Sequence, residues 1–329
     1  MIRALAITGP TASGKTALSI AAAKALGCEI ISLDSMQIYK YMDIGTAKAT
    51  REERDAVPHH MIDFLEPGES FSAKAYRDMA MECAKDIAGR GKIPLFVGGT
   101  GLYLSTLMRP DCEEPPESNP EYRRKIEESL TDEDSKIALH ERLRQIDPYS
   151  AESVHYNNTR RVIRALEIYD ATGKTKTYFD ELTKRKNEEL EIIHVTLDFH
   201  ERENLYRRVD ARVDVMISEG LLGEVERLIE KGYLTPDTTA SQAIGYKELY
   251  DVVSKKKSLS VAIDEIKQFS RNYAKRQLTW FRHTEGATFL FVDNEDGSMR
   301  SADELTSECN RIFREKLEEQ NTSNTTKNN

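Results

Sequence analysis

The most pointed chemistry in this chain lies at 9-GPTASGKT-16. Gly9, four residues, Gly14, Lys15 and Thr16 fit the G-x-x-x-x-G-K-[ST] pattern of a phosphate-binding loop. The glycines let successive backbone N–H groups turn inward around an anion, those of Gly9, Pro10's neighbour Thr11, Ala12, Ser13 and Gly14 among them. The first turn of a following helix adds unsatisfied N–H groups and a partial positive charge. Lys15 would meet a terminal phosphate, and the Thr16 hydroxyl would help to hold a Mg²⁺. An accidental glycine-rich turn is the bland alternative. The context argues against it, because Arg3–Thr8 reads as a short buried strand and Ala17–Leu26 as a strong helix former. The loop alone does not say whose phosphate it holds.

Other segments offer groups to the same crevice. The second strand ends in 31-ISLDSMQIY-39, so Asp34 would project beside the phosphate site. A carboxylate there could hold Mg²⁺ through water or accept a proton from a substrate, or it could cap a helix. In 97-VGGTGLY-103 two glycines admit a ligand to the backbone and Thr100 presents a hydroxyl, although a plain strand-ending turn reads equally well. In 202-RENLYRRVDARVDVM-216, Arg208 and Arg212 lie four apart on one helix face. Such a pair can grip a diphosphate or simply pair with Asp210 and neighbouring acids. Two acid-free basic clusters, 160-RRVIR-164 and 271-RNYAKRQLTWFRH-283, read individually as solvated helix faces. No N-K-x-D guanine-reading motif follows the loop, and no apolar strand ends in Asp-Glu, which counts against a GTPase switch and an ATPase motor.

The elements that must position these groups alternate through the first third of the chain. Strands at Arg3–Thr8, Glu29–Leu33, Met61–Leu65 and Ile93–Val97 are separated by helices at Ser13–Leu26 and Ser72–Ala88. That alternation predicts an α/β fold, a P-loop NTPase-like parallel sheet flanked by helices, with the loop at the carboxyl end of the first strand. Composition shifts at 109-RPDCEEPPESNPEYRR-124, rich in proline and acid, where an inserted all-helical domain begins. Helices are expected at Glu121–Leu130, Asp134–Gln145 and Asn158–Thr172, before 191-EIIHVTLDF-199 rejoins the parent sheet. The rest reads as helix over Arg202–Leu249 and Leu259–His283, strand over Thr288–Val292 and helix over Ala302–Leu317. The expected domains are 1–110 with 191–318, an insert at 111–190, and a polar tail at 319–329 that reads as disordered.

With 329 residues, 39% hydrophobic and 31% charged, the composition is that of an ordinary soluble protein. No apolar run reaches the length of a membrane span, and no signal-like segment precedes the first strand. Four scattered cysteines without a C-x-x-C pair point to a reducing, cytoplasmic setting and away from a zinc or disulfide framework. A net charge of -9 argues mildly against nucleic acid, but binding needs only a local basic face.

Taken together the motifs resemble the tRNA dimethylallyltransferase (isopentenyltransferase) family. The resemblance rests on Gly9–Thr16, Ser32–Lys48, Pro58–Phe64, Val97–Tyr103, Pro120–Arg123, Asn157–Glu167, Gln242–Glu248 and Lys275–Arg282, in order over nearly the whole chain. It implies that the loop, Gly9 to Thr16, holds the diphosphate of dimethylallyl diphosphate with Mg²⁺ at Thr16, helped by Arg212. It implies prenyl transfer to the exocyclic amine of the adenosine 3′ of the anticodon, in tRNAs reading codons that begin with U. Asp34 would be the general base, with Thr100 near the bridging oxygen and the amine. Asp34, Ser35, Met36, Gln37, Thr100, Arg123, Thr159, Arg160, Arg161, Val162 and Ile163 would touch the tRNA. No cysteine–histidine set for the zinc finger of eukaryotic relatives is present, so the chain looks like the compact bacterial form, expected to act as a monomer.

Overall fold

The apolar run Ala4–Ile7 is too continuous for a strand with one wet face, and along Ile192–Leu197 even the polar His194 and Thr196 are buried. In the computed structural model they form the middle of a fully parallel sheet covered on both sides. The structure describes residues 1–109, 112–183 and 187–327, the side chains of 320–327 excepted. The chain divides into two compact units, Met1–Met108 with Glu189–Asn329, and Arg109–Glu188.

The first unit begins with β1 (Ile2–Thr8), α1 (Lys15–Leu26), β2 (Cys28–Ser32), α2 (Arg51–Ala56), β3 (His59–His60), α3 (Ala73–Gly89), β4 (Ile93–Gly98) and α4 (Gly101–Met108). The second unit is helical, with α5 (Pro120–Glu127), α6 (Glu133–Ile146), α7 (Pro148–Ser153), α8 (Thr159–Thr172) and α9 (Lys176–Leu182). The first unit resumes with β5 (Leu190–Asp198), α10 (Arg202–Ser218), α11 (Leu221–Glu230), α12 (Tyr246–Val253), α13 (Leu259–Arg282), β6 (Ala287–Phe291) and α14 (Ala302–Lys327).

The strand order is β3-β2-β4-β1-β5-β6. Along β1, Leu5 and Ile7 enter a core shared with α1, α10, α13 and α14, while Ala4 and Ala6 enter the opposite one beneath α3 and α4. Each large apolar side chain so buried contributes roughly 1.5–3 kcal/mol. The order reverses beside β1: the chain passes to β2 and returns to fill the place between them with β4. In register, Thr8 lies opposite Gly98 and Ser32 opposite Val97. The loops leaving β1, β4 and β2 therefore open side by side at the carboxyl edge, the switch point where open α/β sheets bind ligands.

Three expectations are corrected. The third strand is His59–His60, not Met61–Leu65, because Met61 and Asp63 take left-handed φ of 58° and 61° and turn the chain away. Asp63 there receives ion pairs from Lys48 and Arg54. The helix expected over Arg202–Leu249 is α10, α11, a 3₁₀ turn at Ala240–Gln242 and α12, with apolar periodicity running on across the corners. The last helix continues past Leu317 to Lys327, and residues 328–329 lie outside the described residues.

The second unit packs around Leu143, Val154, Val162 and Leu166. Two buried carboxylates tie it together. Asp147 accepts from Ser150 and from the backbone N–H and hydroxyl of Thr177, and Glu167 accepts from Arg123, Arg164 and the Asn119 N–H.

Candidate active site

The loop between β1 and α1 is built by close approach. Gly9 has φ 142°, and a Cβ there would lie 2.8 Å from the Leu197 carbonyl oxygen, so only glycine passes. Lys15 folds back along the loop, its Nζ donating to the carbonyls of Gly9 (3.0 Å) and Pro10 (2.6 Å). The α10 arginines also close on the loop. Arg208 Nε donates to the Ala12 carbonyl at 2.8 Å, and Arg212 Nη1 donates to Thr11 Oγ1 at 2.9 Å. Asp210, the alternative partner on that helix, is engaged by Arg271 on α13 instead.

Three cations thus converge on one turn of backbone. Burial, then repulsion from Arg212, bring the Lys15 ammonium down to about 7, against the pull of Asp34. Burial lowers Arg208 and Arg212 as well. Buried cations gathered on one loop, one of them further lowered by its neighbour, are an arrangement that an anion would relieve. The Ser13 hydroxyl, buried within the loop, has no hydrogen-bond partner among the described residues.

Across the crevice stand the groups from β2 and β4. Asp34 Oδ1 accepts from the N–H of Met36 (2.8 Å) and of Gln37 (3.3 Å), so one oxygen does cap the chain, although a turn and not a helix follows. Thr100 is seated by its N–H on the Leu33 carbonyl at 3.0 Å, and its Oγ1 accepts from the Ser35 N–H at 3.1 Å. A cleft of about 920 Å³ brings Lys15, Thr16, Asp34, Gln37 and Arg212 to a common space. An adjoining chamber of about 310 Å³ shares Asp34 and Arg212 with it and adds Ser35, Met36, Val213 and Ile266. Gln37 faces the cleft, but its amide Nε2 donates to the carbonyls of Thr46 and Ala47.

Several residues of this site were not singled out by type, although Tyr273 lies in the 271–283 cluster and Gln277 in the stretch Lys275–Arg282. Tyr273 on α13 lines both spaces, within hydrogen-bonding reach of Thr100, and burial with the Asp34 charge pushes its hydroxyl up to about 12. Gln277, one turn on, bonds to both loops. Glu224 on α11 accepts from the successive N–H groups of Asp43, Ile44 and Gly45 and from the Tyr246 hydroxyl, fixing the loop that forms the far wall. Their partners lie far away in sequence, so no local pattern announces them.

In the second unit Thr159, Arg160 and Arg161 occupy the first turn of α8, which has neither a side-chain cap nor an acid. Val162 and Ile163 are each only 1% exposed, and Val162 belongs to the unit's core. Any contact these two make with RNA would therefore fall to their backbone rather than to their side chains. Arg123 is held on the buried Glu167 carboxylate at 2.9 Å. The basic clusters prove partly neutralised: Arg164 pairs with Glu167 three residues on, and Arg271 and Arg282 with the distant Asp210 and Asp198. Lys275 and Arg276 are without an ion-pair partner among the described residues, and Arg276 lies over the Tyr273 ring.

No group of three or more His, Cys, Asp or Glu that could hold a metal ion occurs among the described residues. A hard cation here would need oxygens from the ligand and water beside the Thr16 hydroxyl, a donor set that fits Mg²⁺, which keeps several waters. No helix among the described residues is long and apolar enough to cross a membrane.

The IPP transferase family model matches residues 37–284 and the isopentenyl transferase model residues 2–64. The tRNA dimethylallyltransferase of Thermoanaerobacter sp. (strain X514) is 45% identical over 294 residues, 89% of this chain and 93% of that protein. That of Bacillus cereus (strain AH187) is 46% identical over 315 residues, 95% of this chain and 94% of that one. The crystal structure of the full-length tRNA isopentenylpyrophosphate transferase of Bacillus halodurans matches with a TM-score of 0.72 at 40% identity, covering 99% of this chain and 100% of that one. A eukaryotic dimethylallyltransferase acting on tRNA gives 0.73 at 33% identity, covering 88% of this chain and 74% of that one.

Proposed function

The chain belongs to the IPP transferase family, a family of prenyl-transferring enzymes, and on that premise we propose its reaction. It moves the dimethylallyl group of dimethylallyl diphosphate to the exocyclic amine of the adenosine 3′ of the anticodon, in tRNAs reading codons that begin with U. One observation carries the reading. Three cations crowd a glycine-rich loop, and the Asp34 carboxylate lines the same cleft.

The loop and Lys15, with Arg212, take the diphosphate. The adenine amine attacks C1 of the prenyl group, the C1–O bond breaks, and its electron pair leaves on the diphosphate oxygen. The amine is a weak nucleophile because its lone pair is delocalised into the ring, so Asp34 accepts its proton as the C–N bond forms. Asp34 Oδ1 already carries two backbone N–H bonds, which leaves Oδ2 for that proton. Thr100, held by Ser35, orients the amine and the bridging oxygen. The Thr16 hydroxyl would help to hold a Mg²⁺, which would supply neutralisation of charge on the departing diphosphate. Val213, Met216 and Ile266 give the adjoining chamber a dry surface for a prenyl group or a base.

To enter, the adenosine leaves the anticodon-loop stack, which costs little in a single-stranded loop. Thr159, Arg160 and Arg161, at an uncapped helix N-terminus free of acid, suit phosphates of the RNA backbone. Lys275 and Arg276 suit them from the first unit. The test is transfer of labelled dimethylallyl from its diphosphate to unmodified tRNA, with AMP and ATP alongside. Label at the adenosine following the anticodon supports the reading. Label in AMP, or consumption of ATP with none in tRNA, overturns it.

A further inference from the structure

We propose that Gln277 is the positioning residue that sets the separation between the diphosphate cradle and the Asp34–Thr100 side of the site. The inference rests on the reaction proposed above. Gln277 is 5% exposed, and both ends of its amide are engaged. Oε1 accepts from the Thr11 N–H at 2.8 Å, and Nε2 donates to the Gly99 carbonyl at 3.0 Å. These partners belong to the loops that leave β1 and β4, which are paired as far as Thr8 and Gly98. Past that point the loops part, and the amide of Gln277 spans the opening.

The fit is mutual. A Cβ on residue 99 would come within 2.1 Å of Gln277 Nε2, so the glycine at 99 is matched to the glutamine at 277. Each end of the amide also leads to a reacting group. Thr11, bonded to Gln277 through its N–H, receives Arg212 on its hydroxyl. Gly99 precedes Thr100, whose Oγ1 accepts from the Ser35 N–H beside Asp34. Tyr273, one turn before Gln277 on α13, lies in reach of both Thr100 and Gln277. The Thr11 N–H, a donor of the anion-binding loop, is turned to Gln277, so the arrangement favours position over one more contact to phosphate.

The chemistry makes that separation matter. Displacement at C1 needs the attacking nitrogen, the carbon and the leaving oxygen nearly in line, with reacting atoms about 3–3.5 Å apart, and a misplacement of about 1 Å costs roughly 100-fold in rate. Gln277→Glu keeps an acceptor for Thr11 but sets a carboxylate against the Gly99 carbonyl. Gln277→Met fills the space and loses both bonds. Gly99→Ala forces the same separation while Gln277 stays intact.

The experiment uses the full chain and measures four quantities for each variant: donor affinity, tRNA affinity, single-turnover transfer, and the share of prenyl released as alcohol to water. For Gln277→Met and Gly99→Ala, which add no charge to the cradle, the expected result is affinities within about 3-fold of wild type and transfer reduced about 100-fold, with a larger share lost to water. Combining Gly99→Ala with Gln277→Met should cost little more than either change alone, because both break one span. A merely structural role would lower the unfolding temperature and both affinities together and leave the partition to water unmoved. That result, or variants that transfer within about 3-fold of wild type, would overturn the assignment. A wild type that transfers nothing to tRNA would sink the proposed reaction itself. An active wild type with unimpaired variants would sink only the role of Gln277.

Discussion

Raising the pH from about 6.5 to about 8.5 should weaken the binding of dimethylallyl diphosphate by roughly 25-fold through Lys15 alone. The magnitude follows from the crowding at the loop. With burial and Arg212 holding Lys15 near 7, about three quarters of the free protein carries a charged Lys15 at the lower pH and about 3% at the higher. A diphosphate beside it restores the charged form across this range, so binding takes up a proton. The liganded state holds more protons than the free one; affinity therefore falls as pH rises, about tenfold per unit above 7. Stability runs the other way. Unfolded Lys15 keeps its proton up to its ordinary 10.5, so its cost to the fold is present below 7 and relieved as pH climbs through that window. Calorimetry in two buffers of different ionisation enthalpy reads the uptake directly, from about pH 7.5 upward, where phosphate's own titration is over. Uptake near 0.9 proton at about pH 8 is expected, vanishing in Lys15→Arg. No uptake in the wild type would mean that Lys15 is fully charged before the anion arrives, which refutes the crowding argument.

Arg212→Ala should weaken donor binding about 10- to 100-fold, as loss of a charge-assisted contact does, and should move the Lys15 midpoint upward by removing its repulsion. Donor titrations at several pH values check both effects. Glu224→Ala would leave the N–H groups of Asp43, Ile44 and Gly45 and the Tyr246 hydroxyl without their buried acceptor. Since each orphaned buried group costs about 1–3 kcal/mol, denaturant unfolding should show a loss of several kcal/mol, with Glu224→Gln milder.

The shape of the loop at Gly9–Thr16 was legible because it is written locally, as spacing between a strand and a helix. Asp34 and Thr100 could be placed beside it because a parallel sheet delivers the ends of β2 and β4 to the same edge. Local pattern failed where tertiary partners decide. The run Met61–Leu65 is apolar enough for a strand, but the Lys48 and Arg54 ion pairs hold Asp63 in a turn. The acid-free look of 271–283 dissolves once Asp210 and Asp198 are found against Arg271 and Arg282. Val162 and Ile163 sit within a basic stretch, yet helical periodicity turns them inward while Arg160 and Arg161 stay out. The roles of Gln277, although it lies within Lys275–Arg282, and of Glu224 were not readable because a buried amide or carboxylate that binds backbone leaves no complementary residue type to read.

The proposed transfer depends most directly on Asp34, and Asp34→Asn tests that dependence. The amide oxygen can keep the bonds from Met36 and Gln37, so the turn survives while the proton acceptor is lost. In one set of samples, tRNA and donor affinities and single-turnover transfer would be measured for the variant and the wild type. The account predicts affinities within about 3-fold and transfer lower by two to four orders of magnitude, roughly what a general base contributes. Near-normal transfer, or a loss that follows tRNA affinity, would reduce Asp34 to the cap of a turn and contradict the mechanism.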